Sequence, residues 1–409
     1  MTVTDSTFDT SIPSTAARTV EFVSATSYSG GSELHPTGSN IDLPAYRTYI
    51  DALEEAGFDY TLNGYSSSFA DSFIVASATG QLTERIRPIV ALRPNTVFPL
   101  VAAQSLATLD QLTEGRAVVH LISGGADSEQ ARQGDYLPKE KRYARTSEYI
   151  DLLRAAWTEK APFSHDGEFY TFDDFGPGFS TYSGEPVPIS IGGQSDEAFQ
   201  VGGTKADWFT FWGEPLAEVR REIDRVHAIA DAAGRPRQRI WVTFRPIIAA
   251  TDELAWQHAG EILGVLTERF AAGNDVAQRF LRNSGGAAPQ NKGSQRALEF
   301  ASASARYDRA LWTPTAAATG GGGASTALVG SYETVAAAIL DYIDAGADIV
   351  SVRGYDGIED VKKYGQYLLP LIRQELAHRQ TTGRRGTLQA EHLGYADPTF
   401  TALADQVSA

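Results

Sequence analysis

Ile191-Gly192-Gly193-Gln194-Ser195-Asp196 follows directly on an apolar run and opens a helical pattern. The glycines let backbone approach a ligand closely, and Ser195 can cap the helix. The free N–H groups of the first turn then face outward, where they favour a phosphate or another anion. A plain N-cap reads the same way, so the motif needs company.

The other apolar runs end in a particular mixture. Their last residues and the turns after them hold Tyr28, Leu62, Asn63, Ala91, Arg93, His120, Ser123, Trp212, Glu214, Arg245, Arg353 and Tyr355. Aromatics, small residues and arginines dominate, with one histidine and few carboxylates. A catalytic metal wants clustered His and Asp, and the 7 His of the chain are scattered. Schiff-base chemistry wants a lysine at such an end, but Lys205 precedes its run, on the opposite side. Retaining glycoside hydrolysis wants two carboxylates about 5 Å apart, and Glu214 stands nearly alone. What remains is a site that binds and orients while a cofactor carries the reactivity.

The elements that must position these residues alternate strictly. Short apolar runs at 21–25, 59–62, 86–92, 117–122, 187–191, 208–212, 240–244 and 349–352 read as strands. Helical spacing recurs at 43–56, 72–82, 99–112, 144–157, 195–202, 215–233, 252–270, 332–345 and 359–376. Alternation of this kind makes a parallel sheet, and eight repeats predict an α/β fold closed as a (β/α)8 TIM barrel with insertions. In such a barrel the strand ends listed above share one mouth. An open doubly wound sheet would want a glycine fingerprint after the first strand, and Thr26-Ser27-Tyr28-Ser29-Gly30-Gly31 is not one.

The expected organisation is a tail at 1–19, one barrel domain over 20–376 and a second tail at 377–409. Insertions at 123–141 and 271–330 break the rhythm. The longer insertion reads as a lid or as a disordered loop, and Gly320-Gly321-Gly322-Gly323 within it suits a hinge.

The 409 residues, 42% of them hydrophobic, suffice for a large core. The absence of cysteine excludes disulfides, thiolate metal sites and thiol nucleophiles. A net charge of −16 argues against a nucleic-acid binder. No signal-like or membrane-spanning stretch stands out, which makes a cytoplasmic location the expectation.

Taken together, several motifs resemble the bacterial luciferase-like flavin-dependent monooxygenases, most closely their alkanesulfonate monooxygenase branch. They are Val90-Ala91-Leu92-Arg93-Pro94, Ala107-Thr108-Leu109-Asp110-Gln111-Leu112-Thr113-Glu114-Gly115-Arg116, Leu121-Ile122-Ser123-Gly124 and Lys141-Arg142-Tyr143. Further along come Gly192-Gly193-Gln194-Ser195-Asp196, Thr210-Phe211-Trp212-Gly213-Glu214-Pro215, Thr326-Ala327-Leu328-Val329-Gly330 and Gly354-Tyr355.

The resemblance implies a TIM barrel that takes FMN as FMNH2 from a separate NAD(P)H:flavin reductase. With O2 it would oxygenate a small organic substrate through a peroxyflavin, an organosulfur compound such as a sulfonate or sulfone being the first expectation. It places Leu62, Asn63 and Ala91 beside the flavin ring, and His120, at the end of the fourth strand, facing the flavin, with Ile122 and Ser123 following it. Tyr143, Gly193, Gln194 and Ser195 fall at the phosphate end. It also implies a homodimer or homotetramer.

The branch pattern is altered around the substrate. Ser27, Phe69, Thr243, Arg245 and a glycine near Gly321 stand where the branch has other polar groups, while Tyr355 is kept. Arg245 and Tyr355 are the catalytic candidates. Ser27, Tyr28, Phe69, Trp212 and Arg353 are the substrate-binding candidates, with Arg93 as a third cation. The aromatics among them suit a larger or more apolar substrate. Two other readings fit the same barrel: a deazaflavin-dependent oxidoreductase and a flavin-binding protein without catalysis.

Overall fold

Tyr60 and Leu62 turn into a shared apolar interior, whereas Thr61 and Asn63 turn out toward the helices. The same two-residue period runs through eight parallel strands of the computed structural model. They are β1 (Glu21–Ala25), β2 (Tyr60–Asn63), β3 (Arg87–Leu92), β4 (Val118–Leu121), β5 (Ile189–Gly192), β6 (Trp208–Trp212), β7 (Arg239–Ala249) and β8 (Ile349–Val352). Each pairs with the next, and β8 pairs back with β1, so the sheet closes as a barrel. The structure describes residues 19–38, 40–176, 178–272, 289–322 and 325–391.

Period-two alternation makes two cores. Inside lie Val23, Tyr60, Ile89, Val118, Trp208, Trp241 and Ile349, all buried. Outside, Phe22, Val90, Val119, Ile191, Phe209, Val242 and Val350 meet the helices. Near-continuous apolar strands follow from burial on both faces. The helices start where side chains cap them: Asp42 accepts from Ala45 N–H, Asp71 from Ile74 N–H and Thr251 from Leu254 N–H.

Four departures from the sequence reading stand out. First, a hairpin of Phe163–Asp166 and Thr171–Phe175 precedes β5. Its apolar residues are few, so it reads as loop. Second, the described part of the long insertion is largely regular, its stretch 273–288 lying outside the described residues. It holds a helix at Lys292–Ala303, a small antiparallel pair at Arg306–Tyr307 and Leu311–Trp312, a short helix at Pro314–Ala318 and a strand at Ala327–Ser331.

That last strand lies parallel to the outer half of β7, Ala327 opposite Arg245 through Ser331 opposite Ala249. A second core forms there, around Trp256, Trp312, Val329 and Tyr355. Gly320 and Gly321 make a left-handed turn (φ 63° and 72°), and a Cβ at Gly321 would lie 2.7 Å from the Ser294 carbonyl oxygen. This part of the proposed hinge is packed; Gly323 lies outside the described residues.

Third, the last helical stretch is one rod in three parts: Gly357–Lys363, a π-helical turn at Tyr364–Leu368 and Leu369–Thr382. The π turn presents the Tyr364 hydroxyl to the Pro246 carbonyl oxygen at 2.6 Å. Fourth, the fold continues past 376. The rod runs to Thr382, and the buried Gln389 donates to Asp341 at 2.6 Å. Most of the expected tails, 1–18 and 392–409, lie outside the described residues.

Candidate functional site

The lower layer of the barrel interior is fully packed, but the layer above it is not. Leu62, His120, Gly192, Thr210, Trp212 and Thr243 stand on inward positions at the strand ends and are only half-buried, although strands and helices surround them. Partial exposure of inward-facing residues marks a hollow at the mouth, where a (β/α)8 barrel carries its chemistry.

One polar chain crosses this mouth. His120 Nδ1 lies 2.9 Å from Ser190 Oγ, which lies 3.1 Å from Thr210 Oγ1. The imidazole meets the Trp241 ring edge-on, with centroids 5.5 Å apart. Burial pushes His120 down to about 4, so the ring is neutral near pH 7 and can both donate and accept. The Trp241 indole N–H is buried with no partner among the described residues. Gly192 keeps the gap narrow: a Cβ there would lie 3.3 Å from Thr210 Cβ and 3.5 Å from His120 Cε1.

The turn after β5 forms a cradle. Gly193 adopts φ 143°, and a Cβ there would lie 2.7 Å from the Tyr143 hydroxyl and 2.8 Å from Ala198 Cβ. Ser195 caps the helix Asp196–Lys205, its hydroxyl accepting from Ala198 N–H at 3.4 Å. Burial raises the Tyr143 pKa and the Ser195 hydroxyl partly offsets this, so Tyr143 stays a protonated donor. The serine and tyrosine hydroxyls thus meet at the helix start, where the Ser195 hydroxyl and the Glu197 N–H also bond the Glu197 carboxylate and hold its pKa down. Asp196 and Glu197 share the helix start, and Asp196 is paired with Arg225 at 2.5 Å.

Other expected flavin neighbours are placed differently. Asn63 is spent in the wall: its amide donates to Ile89 O at 3.2 Å and its oxygen accepts from Thr26 at 3.0 Å. Ser123 is likewise turned away, with Oγ 2.9 Å from Thr146 Oγ1 and its carbonyl oxygen accepting from Arg142. Both fall on outward positions of the two-residue alternation. Ala91 pairs with His120 on an inward position but is fully covered, and Ile122 continues the β3–β4 ladder by donating to Leu92 O at 2.8 Å.

The expected aromatic pocket is dispersed. Tyr28 packs on the outer core and accepts from Ala70 N–H. Phe69 is 47% exposed beside Gly64, and Tyr355 belongs to the second core. Trp212 alone of the four stands at the mouth, while Ser27 lines a separate cleft between the turns after β1 and β8.

The three expected cations all have carboxylate partners. Arg93 pairs with Glu129 at 3.0 Å, both nearly fully buried, and stacks 4.9 Å from the Tyr65 ring centroid. Arg245 and Arg353 both donate to Glu33. The Arg245 guanidinium also stacks 3.6 Å from the Tyr355 ring centroid. Burial raises the Glu33 pKa, yet Arg245 and Arg353 together outweigh it and hold the carboxyl down at about 2. Sequence reading missed Glu33, since Gly31-Ser32-Glu33-Leu34-His35-Pro36 reads only as a turn.

The helix Lys292–Ala303 is fastened over one side of the mouth. Arg296 Nε donates to Glu214 Oε1 at 2.9 Å, and Nη2 lies 3.2 Å from Glu218 and 3.5 Å from Glu222. Glu214 also accepts from Gln194, so the latch touches the cradle. A Cβ at Gly293 would lie 2.8 Å from Gln194 Oε1 and 3.0 Å from the Trp212 ring. Arg296→Ala is expected to leave three carboxylates without their common partner and loosen this helix. Limited proteolysis between 289 and 303 should quicken about tenfold while the global melting point moves little. Unchanged cleavage would show the helix is held by packing alone.

A closed parallel barrel with a hollow mouth at its strand ends has the architecture of a (β/α)8 enzyme. Among the described residues no cluster of three or more His, Asp and Glu is placed to hold a metal, and no helix is long and apolar enough to cross a membrane.

The family model for luciferase-like monooxygenases matches residues 20–348, and the chain belongs to that family of flavin-dependent enzymes. Solved structures share the fold. DmoA from Hyphomicrobium sulfonivorans is 19% identical with a TM-score of 0.71, covering 96% of each chain. Riboflavin lyase (RcaE), solved with modified FMN and riboflavin, is 19% identical with a TM-score of 0.69, covering 94% of this chain and 96% of its own. EDTA monooxygenase (EmoA) from Chelativorans sp. BNC1 is 17% identical with a TM-score of 0.69, covering 95% of this chain and 98% of its own.

Proposed function

We propose that the chain is a two-component monooxygenase that takes reduced FMN from a separate NAD(P)H:flavin reductase and oxygenates a small organosulfur compound. The cradle of Gly193, Ser195 and Tyr143 carries this reading. A Cβ at Gly193 would fill it, and its two hydroxyls at a helix start suit a phosphate monoester that takes the place of the Glu197 carboxylate on Ser195. The unpartnered Trp241 N–H and the narrow floor at Gly192 suit a flat polar ring in the hollow above. FMN belongs to the family's chemistry and, when bound in reduced form, supplies the electrons that activate O2.

The residues of the chain have the following work. Gly193, Ser195 and Tyr143 bind the phosphate. Leu62, Ala91 and Gly192 give the ring an inward-facing bed, and neutral His120, steadied by Ser190, orients its polar edge. Trp212 and the Arg296-latched helix cover the mouth and limit water there. Tyr355 keeps its proton, because burial raises its pKa while Arg245 only partly offsets this. That makes it a hydrogen-bond donor beside the arginines rather than a base. A cytoplasmic homodimer or homotetramer completes the reading.

FMN and riboflavin binding, followed by flavin fluorescence, tests the central point. Ser195→Ala should raise the FMN Kd roughly tenfold, as expected for one hydrogen bond to a charged group, and leave riboflavin within about twofold. Equal weakening of both would place the phosphate elsewhere. Oxygen uptake with reduced FMN tests the class; turnover only with a reduced deazaflavin would overturn it.

A further inference from the structure

Glu33 sits between two arginines that arrive from different strands. Its Oε2 accepts from Arg245 Nη1 at 2.8 Å, and its Oε1 accepts from Arg353 Nη2. Each carboxylate oxygen is therefore claimed by a different guanidinium. The remaining Nη of Arg245 donates to the Gly354 carbonyl oxygen at 2.9 Å, and its flat face covers Tyr355. Exposure rises outward along the cluster: 4% for the Arg245 side chain, 28% for Glu33 and 43% for Arg353.

A cleft of about 400 Å³ runs alongside, lined by Ser27, Gly31, Ser32, His35, Tyr49 and Asp356 among others. Its walls come from the loop that carries Glu33 and from the turn after Arg353. The lining holds a carboxylate and a histidine but no lysine or arginine.

Paired arginines are a ready receptor for a sulfonate, carboxylate or phosphate, because two guanidinium forks can grip one anion. Here the chain itself occupies the grip. The place where both forks meet is filled by a carboxylate of the chain. An anionic substrate would have to expel Glu33 and leave that carboxylate partly buried without a partner, which is costly. A neutral acceptor oxygen needs no such exchange; it can take an N–H on the exposed side of Arg353.

We propose that Glu33 sets the charge of the substrate, by filling the anion-binding face of the Arg245–Arg353 pair so that the mouth admits an uncharged molecule bearing an acceptor oxygen and turns away its anionic analogue. This rests on the monooxygenase reading and narrows its substrate class within organosulfur compounds. Glu33 is a specificity residue that acts through the arginines and takes no part in the chemistry.

Methyl octyl sulfone and octanesulfonate test this, since their heads have nearly one shape and differ by a charge. Calorimetry on the intact protein should show the sulfone bound at least tenfold more tightly. Glu33→Gln should improve octanesulfonate binding tenfold or more, with the gain shrinking as salt rises, whereas Glu33→Asp should keep the wild-type order. Tighter sulfonate than sulfone binding by the wild type overturns the proposal, as does Glu33→Gln without a sulfonate gain. FMN binding is read separately by fluorescence. Its absence would remove the monooxygenase reading, while the probe affinities still judge Glu33.

Discussion

A valine at position 193 should abolish FMN retention while the barrel stays folded. Gly193 holds φ 143°, a region closed to side chains with a Cβ. The added group would also lie 2.7 Å from the Tyr143 hydroxyl and 2.8 Å from Ala198 Cβ. Ala198 cannot swing away, because its Cβ is fixed to the first turn of the helix. Tyr143 is buried on the neighbouring helix Lys139–Thr158. The turn must therefore open, and the Ser195 and Tyr143 hydroxyls that meet there lose their aim.

Strain of this kind costs about 1–3 kcal/mol, and the lost hydrogen bonds add to it, so FMN affinity should fall on the order of 100-fold. The damage is local and the melting point should drop by only a few degrees. Gly184→Ala is the control: it has φ 82°, but nothing lies within 4 Å of its added Cβ. It carries the backbone penalty without the clash and should leave FMN binding within twofold. A Gly193→Val protein with wild-type FMN affinity would dismiss the cradle.

Arg245→Ala should be the most destabilising single substitution at the mouth. It removes the partner of Glu33 Oε2, the bond to Gly354 O and the plate lying on Tyr355. Breaking a buried ion pair from one side costs about 3–5 kcal/mol, because the other charge stays behind. Denaturant unfolding at pH 7 should show a loss of that order.

The loss should shrink in acid, and the sign is fixed by Glu33. Its folded pKa of about 2 lies below the ordinary 4.5. Its stabilising contribution is thus complete above about pH 4.5 and disappears as the pH falls through 2. The gap between wild type and Arg245→Ala should be widest near neutrality and narrow below pH 4.5. A residual difference from the lost Tyr355 contact remains. Arg245→Lys keeps a charge but not the fork or the plate, and should fall between the two. A gap independent of pH would mean that Glu33 is not held by this arginine.

The sequence reading recovered the barrel because both of its periods are strong. All eight strands appear within two residues of their expected starts, since a buried parallel strand must be apolar throughout. The capped turn after β5 was legible for a similar reason: strand, glycines, serine and helix are neighbours in the chain.

What escaped is what sequence neighbourhood cannot carry. Glu33 meets Arg245 across 212 positions and Arg353 across 320. Arg296 meets Glu214 across 82. No local pattern announces such pairs. Asn63 and Ser123 failed differently, by one step of alternation: they stand at strand ends as expected, but on the outward side. The long insertion reads as a lid or a disordered loop because Gly and Ala dilute its periodicity. Its strand Ala327–Ser331 exists by virtue of β7, which offers it a free edge.

That shared edge governs what can be exchanged between related barrels. β7 is 11 residues long, and only its first half closes the cylinder; Arg245–Ala249 takes its hydrogen bonds from Ala327–Ser331. A graft that swapped the canopy at residue 271 for a shorter loop would strip those bonds and expose a bare, sticky border next to Arg245. Canopy and inner wall are therefore inherited as one cassette. A workable chimera must be cut after Ser331, and must carry the outer half of β7 with it.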